Sequence, residues 1–421
     1  MGFIGGFLLS LTFWRVWPFI YSSWFVPVDR IGYIGDYPPD LLPLNIQKSL
    51  SQGLTDISEN GNAIPALADW WEATDSGKRY LFHIRSDFKW HNGLSVLAQD
   101  VNYNIKDVTF RVLSPEIIEA ELSYPYSPFP IVVSKPLFKK GLVGFGDYRV
   151  GNINFNGERV RLIRLLPTRP DLDATVKEYR FYPTESQAVL AYKMGEIDSI
   201  VDISNPNGLT NWGKNKILER VRYDRVVALF FNMKNDLLSQ KDLRKALAYA
   251  TPPLPYEPAS SPISRISWAH SGKAKVFKQD EETARDLLTN LQIASASPEL
   301  TISTFSQYIA DAQMIADAWT KVGIATAVRV ESSIPSDFQI LLSAMELPPD
   351  PDQYPFWHST QITSNITGYS NVKIDKLLED GRQELDPEKR KIIYADFERR
   401  LVDDLPVIFL YYPISYTIKR K

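Results

Sequence analysis

The chain contains no cysteine. That excludes disulfides, thiolate nucleophiles, cysteine-based zinc sites and lipid attachment through an N-terminal cysteine. Histidine is nearly as scarce, and the four present (His83, His91, His270, His358) include no closely spaced pair of the kind that ligates a metal. Basic charge is not in excess either: 47 Lys and Arg stand against 50 Asp and Glu, a net charge of −3, so there is no electrostatic footprint for nucleic acid. The catalytic signatures are missing as well. There is no G-x-S-x-G, no H-E-x-x-H, no Gly-rich run ending in Lys, and no G-x-G-x-x-G opening a helix. The sequence therefore reads as a protein that catalyses nothing and uses neither cofactor nor metal.

What is abundant is apolar and aromatic side chain, 44% and 12% of residues, with 10 Trp, 21 Tyr and 21 Phe. Core packing accounts for most of these, and the remainder suit a cleft that accepts mixed apolar and polar guests. At 421 residues the chain exceeds what one core supports, so two lobes of roughly 200 residues are expected. Residues 1–28 form an apolar segment broken by Arg15 and Pro18, with no Lys or Arg before Arg15 and no A-x-A before Pro27. It is long enough to span a bilayer, and one arginine at mid-depth costs roughly 2.5–3.5 kcal/mol, which so much Leu, Phe and Ile offsets. This reads as an uncleaved signal anchor, against the alternatives of a start that has lost basic residues or a buried element of the folded domain. No second spanning segment follows, which places the rest of the chain on one side of the membrane.

Along that remainder, a Pro-rich stretch surrounds a short strand at Ile31–Ile34. Tyr80–Arg85 alternates with period two, setting Tyr80, Phe82 and Ile84 on one face and leaving His83 on the sheet surface. Residues 108–133 and 145–182 are strand-rich. From about residue 226, strands and helices alternate: a strand at Val226–Phe231, a helix at Lys241–Ala250, a Pro-rich loop, a helix at Glu281–Leu291 and a strand at Leu300–Phe305. Helix Ile309–Val322 carries an apolar stripe of Ile309, Met314, Ile315, Ala318, Trp319 and Val322 and stops at Gly323, and strand Ala325–Val330 then completes a βαβ unit. A strand follows at Asp337–Leu342. The last helix begins with Asp386 as N-cap and Pro387 in its first turn, and Val407–Ile418 reads as one buried closing strand.

Several of these pieces fall in a distinctive order. Ile64-Pro65-Ala66-Leu67-Ala68-Asp69-Trp70-Trp71, the Tyr80–Arg85 strand, Phe88-Lys89-Trp90-His91-Asn92-Gly93 and Ala98-Gln99-Asp100-Val101 come first. Gly195-Glu196-Ile197-Asp198, Phe231-Asn232-Met233, Leu243–Ala250, Asp350-Pro351-Asp352, Gly368-Tyr369-Ser370-Asn371, Asp386–Arg390 and Pro406–Tyr412 follow. The series resembles the extracellular solute-binding proteins that serve peptide and nickel ABC importers (family 5), from about residue 29 to 418. The departures are a short stretch between Asn104 and Ser114, Gly144-Phe145-Gly146-Asp147-Tyr148 where the family has G-T-G-P-Y, and His91-Asn92-Gly93 in place of His-Asp-Gly.

The resemblance implies an α/β, two-lobed, periplasmic-binding-protein-like fold of type II, peptide-binding class, with mixed sheets, crossing hinge strands and an accessory domain reduced or missing. Lobe one is expected at 29–224 plus the tail 405–421, and lobe two at 225–404. The implied function is capture of an oligopeptide- or dipeptide-like solute between the lobes and its delivery to an ABC permease. The protein would be a monomer, extracytoplasmic and anchored to the cell membrane by its N-terminus. The alternative is a membrane-anchored sensor or interaction module that kept the fold but not transport. By the same resemblance the ligand-binding set is Tyr37, the strand end Ser343-Ala344-Met345-Glu346, Trp357, Tyr411 and Tyr412. An ungapped match puts Leu347 at the acidic, amine-pairing position, whereas Glu346 fits with a shift of one residue. Asp350 and Asp352 are expected to cap the following turn, and Trp90–Gly93 to form a tight turn.

Overall fold

The computed structural model describes residues 27–169, 175–206, 208–213, 215–291 and 299–421. The expected anchor lies outside them, except that Pro27 and Val28 already belong to the first strand region; among the described residues no helix is long and apolar enough to cross a membrane.

Strand β1 (Val28–Ile34) is followed by helix α1 (Leu44–Leu50) and hairpin β2 (Thr55–Ile57) and β3 (Ala63–Pro65). Strands β4 (Ala68–Thr74), β5 (Arg79–Ile84), β6 (Val108–Ser114) and β7 (Ile117–Leu122) form a separate sheet in the order β4-β5-β7-β6, next to the short helix α2 (Phe129–Val132). Period-two alternation explains its packing: Tyr80, Phe82 and Ile84 are buried in a core of their own with Trp90, Ile118 and Phe129, while His83 faces outward, 2.7 Å from Asp69 and stacked on Trp70. This sheet stands where the accessory domain was expected to be reduced or missing.

The chain then builds β8 (Tyr148–Asn156), β9 (Arg159–Pro167), β10 (Val176–Tyr182), helix α3 (Glu185–Met194), β11 (Ser199–Ile203) and β12 (Asn215–Val221). With β1 and the last strand, β19 (Ile414–Arg420), these form a seven-stranded sheet ordered β12-β19-β11-β1-β10-β9-β8. β1 runs parallel to both β10 and β11, which α3 connects. Thr184 caps α3 and Gly195 ends it in the left-handed conformation (φ 80°), as a C-terminal glycine does.

The second lobe comprises β13 (Arg225–Phe231), α4 (Lys241–Ala250), β14 (Glu257–Pro258), α5 (Glu281–Asn290), β15 (Glu299–Thr304), α6 (Ile309–Lys321), β16 (Ala325–Val330), β17 (Ile340–Glu346), α7 (Tyr354–Trp357), α8 (Val372–Gln383), α9 (Pro387–Asp404) and β18 (Val407–Tyr412). Its sheet is ordered β14-β18-β13-β17-β15-β16, and β15-α6-β16 is the anticipated parallel βαβ unit. After Arg225, β13 is apolar because both faces are covered, one by α4 and α6, the other by α8 and α9. On α6 the buried residues are Asp311, Ala312, Ile315, Ala316, Ala318 and Trp319. Ile309 and Met314, assigned to the stripe from sequence, are 41% and 44% exposed, since each lies round the helix from the Ile315–Trp319 line.

The closing segment differs from expectation. Residues 407–418 are not one strand, and the tail from 405 does not return directly to lobe one: β18 pairs with β13 and β14 in the second sheet, and only β19 joins the first. Pro413 marks the change, having no N–H to give a ladder. The chain thus crosses twice side by side, at residues 222–224 and at Pro413. Arg222 ties the crossings together, its N–H donating to the Pro413 carbonyl (2.8 Å) and its guanidinium reaching Asp224 (2.6 Å) and Asp202 (2.5 Å). The hydrogen bonds that the guanidinium donates to Asp224 and Asp202 raise the Arg222 pKa above its ordinary value against the cost of burial.

Away from the crossings, the β2–β3 hairpin and the segment after β7 touch the second lobe. Trp268 N–H donates to Asn60 O (2.9 Å), Ser127 N–H to Arg382 O (2.7 Å), and the Tyr126 hydroxyl to Asp352 (3.2 Å). A cavity of about 210 Å³ lies in this junction, walled by Trp71, Tyr80 and Trp268 and by the buried Asp350–Arg390 pair, whose two bonds are 2.6 and 2.7 Å.

Two outcomes follow. Gly144 packs so closely on Leu50 that a Cβ would collide with the Leu50 carbonyl oxygen, so Gly144→Ala should lower stability by about 1–3 kcal/mol in urea unfolding. Arg390→Met leaves Asp350 buried without its partner and should cost about 3–5 kcal/mol, read as a fall in melting temperature.

Candidate functional site

β17 has the sequence Ile-Leu-Leu-Ser-Ala-Met-Glu, and its alternation sends Ile340, Leu342 and Ala344 to the α4–α6 face and Leu341, Ser343 and Met345 to the α8–α9 face. Ser343 is small where its neighbours on that face are large. The space it leaves is part of a cavity of about 310 Å³, floored by Phe230 and Leu341 and closed by Phe356 and Trp357 of α7 and by Ile334 and Ile366 from two loops.

The position of α7 is set by the turn before it. Asp352 N–H donates to Asp350 Oδ1 (2.9 Å) and Tyr354 N–H to Asp352 Oδ1 (3.1 Å), which is the capping role expected of both aspartates. Arg390 donates to both oxygens of Asp350 and Arg382 to Asp352 Oδ2 (3.0 Å), so the turn is fastened to α8 and α9. Trp357 is 1% exposed and its indole N–H points to the buried Gln353 (3.3 Å).

Five of the eight residues assigned from sequence meet at this cavity: Ser343, Ala344, Met345, Glu346 and Trp357. Three lie elsewhere. Tyr411 and Tyr412 are 3% and 1% exposed on β18. The Tyr411 hydroxyl donates to the buried Asp311, and its ring stacks on Tyr256 at 4.2 Å. Burial, reinforced by Asp311, raises the Tyr411 pKa, and burial likewise raises that of Asp311 although Tyr411 lowers it. Tyr412 packs against Tyr223 beside the crossing, and its hydroxyl accepts from Arg265 N–H (3.0 Å). Tyr37 sits on the first lobe against Phe181 at 5.3 Å, donates to Ile34 O (3.0 Å), and has its phenol pKa raised by burial.

The acidic amine partner has no free candidate at the strand end. Leu347 is 5% exposed in the second-lobe core, and its N–H donates to Asp224 O (2.8 Å). Glu346 is exposed but already faces Arg225 at 3.3 Å. Trp90–Gly93 forms the tight turn anticipated: Gly93 N–H donates to Trp90 O (2.7 Å) at φ 87°, and His91 donates to Gly146 O (3.0 Å), joining two of the motifs read from sequence. Among the described residues no group of three or more His, Asp and Glu could hold a metal ion.

One property of the strand was not legible. β15 pairs with β17 only through Ile340, Leu341 and Leu342, so β17 outruns it by four residues. The Leu342 carbonyl points to the β15 side, where Thr304 Oγ1 donates to it (3.0 Å), and by alternation Ala344 and Glu346 point the same way with no strand beside them. The sequence reading also missed the loop residues Ile334, Ser364, Ile366 and Thr367. The Gly368-Tyr369-Ser370-Asn371 segment was the available signal for that second loop, and Gly368 does adopt a positive φ of 65°.

The sequence matches the profile of bacterial extracellular solute-binding proteins, family 5 Middle, over residues 62–116 and 108–364. Among curated proteins, oligopeptide-binding protein AppA of Bacillus subtilis is 23% identical over 471 residues, covering 92% of this chain and 86% of AppA. Periplasmic oligopeptide-binding protein OppA of Salmonella typhimurium is 22% identical over 459 residues, covering 88% and 83%. Among solved structures, NikZ from Campylobacter jejuni in complex with Ni(L-His) superposes with a TM-score of 0.74 at 23% identity, and the substrate-binding protein CtaP from Listeria monocytogenes with 0.80 at 19%, each covering 94% of both chains. With the two sheets, the double crossing and a match over most of its length, the chain belongs to the bacterial extracellular solute-binding proteins of family 5 and has their two-lobed fold.

Proposed function

We propose that this protein is the substrate-binding subunit of an ABC importer, capturing an oligopeptide- or dipeptide-like solute and delivering it to a membrane permease. The observation that carries the reading is the unpaired edge of β17 at Ala344 and Glu346 beside the 310 Å³ cavity. An extended peptide adds to such an edge as a strand, spending its backbone N–H and C=O groups there and sending alternate side chains into a pocket. The names of AppA and OppA, both oligopeptide-binding, support the same class of guest.

The ligand-binding set in this reading is Ser343, Ala344, Met345, Glu346 and Trp357, with Tyr37, Tyr411 and Tyr412 on the flanks. Tyr411 and Tyr412 act through the walls they support. The lobes divide at the paired crossings, 27–221 with 414–421 on one side and 225–412 on the other, and closure about them buries the guest from two directions. The protein works as a monomer outside the cytoplasm, tethered by its apolar N-terminal segment, and no catalytic step, cofactor or metal enters.

Native mass spectrometry and thermal unfolding with a peptide library test this. A peptide at 100 times its dissociation constant should add about 2.7 kcal/mol of stability. Peptides N-methylated at the backbone amide that pairs with β17 should bind at least about tenfold more weakly than their parents. Equal binding by both forms would exclude strand addition, and no stabilisation by any peptide would exclude peptide capture.

A further inference from the structure

On the α8–α9 face of the second sheet, the large side chains give way at one place. Ser343 of β17 pairs with Ala228 of β13, so two small residues stand together among Phe230, Leu341 and Met345. The cavity of about 310 Å³ has Ser343 in its wall, together with Phe356 and Trp357. It also lies on a face that a guest strand would use. A peptide paired along the free edge of β17 sends alternate side chains to the same face as Ser343 and Met345.

The polar side chains of this lining are already engaged within the protein. Glu346 faces Arg225 at 3.3 Å. The Trp357 indole N–H is directed to Gln353 Oε1 (3.3 Å). The Thr367 hydroxyl donates to Asn365 Oδ1 (3.0 Å) and accepts the Tyr369 N–H (3.2 Å), and the Ser364 hydroxyl donates to the Pro355 carbonyl. Even Ser343 turns its hydroxyl to the neighbouring Ala344 carbonyl, at 3.4 Å. A polar or charged group entering here gives up water and finds no side-chain partner, whereas an apolar group gains in proportion to the area it buries. Room is sufficient: a dry apolar cavity of about 150 Å³ takes benzene, and this one is larger, at about 310 Å³.

We infer that this protein selects its solute by one bulky apolar group seated against Trp357, in a peptide an aromatic or branched aliphatic side chain, and that Ser343 sets the size of the group accepted. This deepens the proposed function and rests on it for the way a peptide is held. Backbone pairing at Ala344 and Glu346 supplies affinity common to all peptides, and the cavity supplies the difference between them. A larger residue at position 343 projects into the space the guest group needs. The aromatic wall opposite cannot retreat, since Trp357 is held by Gln353 and by the Asp350–Asp352 turn.

Isothermal titration of the purified full-length chain with pentapeptides Ala-Ala-X-Ala-Ala, X being Ala, Leu, Phe, Lys or Glu, reads the preference, and toluene probes the cavity alone. The expected result is that the Leu and Phe peptides bind at least about tenfold more tightly than the Ala peptide, while the Lys and Glu peptides bind no more tightly than it. Ser343→Phe, which places a ring in the cavity, should erase the preference, so that the Leu and Phe peptides fall to the level of the Ala peptide measured on the same variant. Ser343→Ala should preserve it. Circular dichroism checks both variants against the wild type, and the wild-type series decides by itself if Ser343→Phe does not fold. Equal binding for every X, a preference for Lys or Glu, or a preference that survives Ser343→Phe would overturn the inference while leaving peptide capture standing. Toluene binding that Ser343→Phe removes, with no peptide bound, would keep the inference and overturn peptide capture. No binding of any peptide or of toluene would sink both.

Discussion

The constraint on which the rest depends is that the chain passes between its two sheets twice, at adjacent places, and is pinned there. β12 gives way to β13 within three residues and β18 to β19 across a single proline, and the Arg222 N–H joins one passage to the other. A single crossing would leave the lobes free to swivel about a flexible linker. Two crossings side by side restrict their relative motion to opening and closing about the line that joins them, which is the motion a binding cleft needs. The Arg222 guanidinium, held between Asp202 and Asp224, keeps both carboxylates next to that line.

β17 ends at Glu346, opposite Arg225, the first residue after the passage, and the next residue is tied back to Asp224. The Asp350–Asp352 turn immediately follows. Its two aspartates do double work: they close the turn through backbone N–H groups and accept Arg390 and Arg382 from the last two helices. Arg382 also lies over the Tyr126 ring of the segment after β7, so the element that positions Trp357 is coupled to the contact between that segment and the second lobe.

The repeated use of small residues beside large ones explains where space remains. Ser343 between Leu341 and Met345 leaves room in an otherwise filled face, and Gly368 leaves room for the Lys234 stem. At Gly144 and Gly53 the same smallness serves the opposite end: the backbone of a neighbouring segment fills the place of a side chain, and no cavity results.

Much of this was readable in the order of residues. The period-two pattern at Tyr80–Ile84, the Asp386 cap and the tight turn at Trp90–Gly93 depend on neighbours within a few positions, and they formed as read, whereas the period-3.6 stripe of α6 held only in part. The motif series pointed to the strand end and to Trp357 because those residues are close in sequence to a recognisable turn. Tyr411 and Tyr412 illustrate the limit: two adjacent residues on a buried strand point to opposite faces, and sequence alone could not say that both faces are covered. What the amino-acid order determined by itself was local conformation at these places and the fold class. Which sheet claimed β18, how far β17 outruns β15 and that Leu347 is core were decided only by tertiary structure. Each depends on groups far apart along the chain, 38 residues for the β15–β17 pairs and more than a hundred for β13 with β18 and for Leu347 with Asp224, and local side-chain spacing carries no record of those.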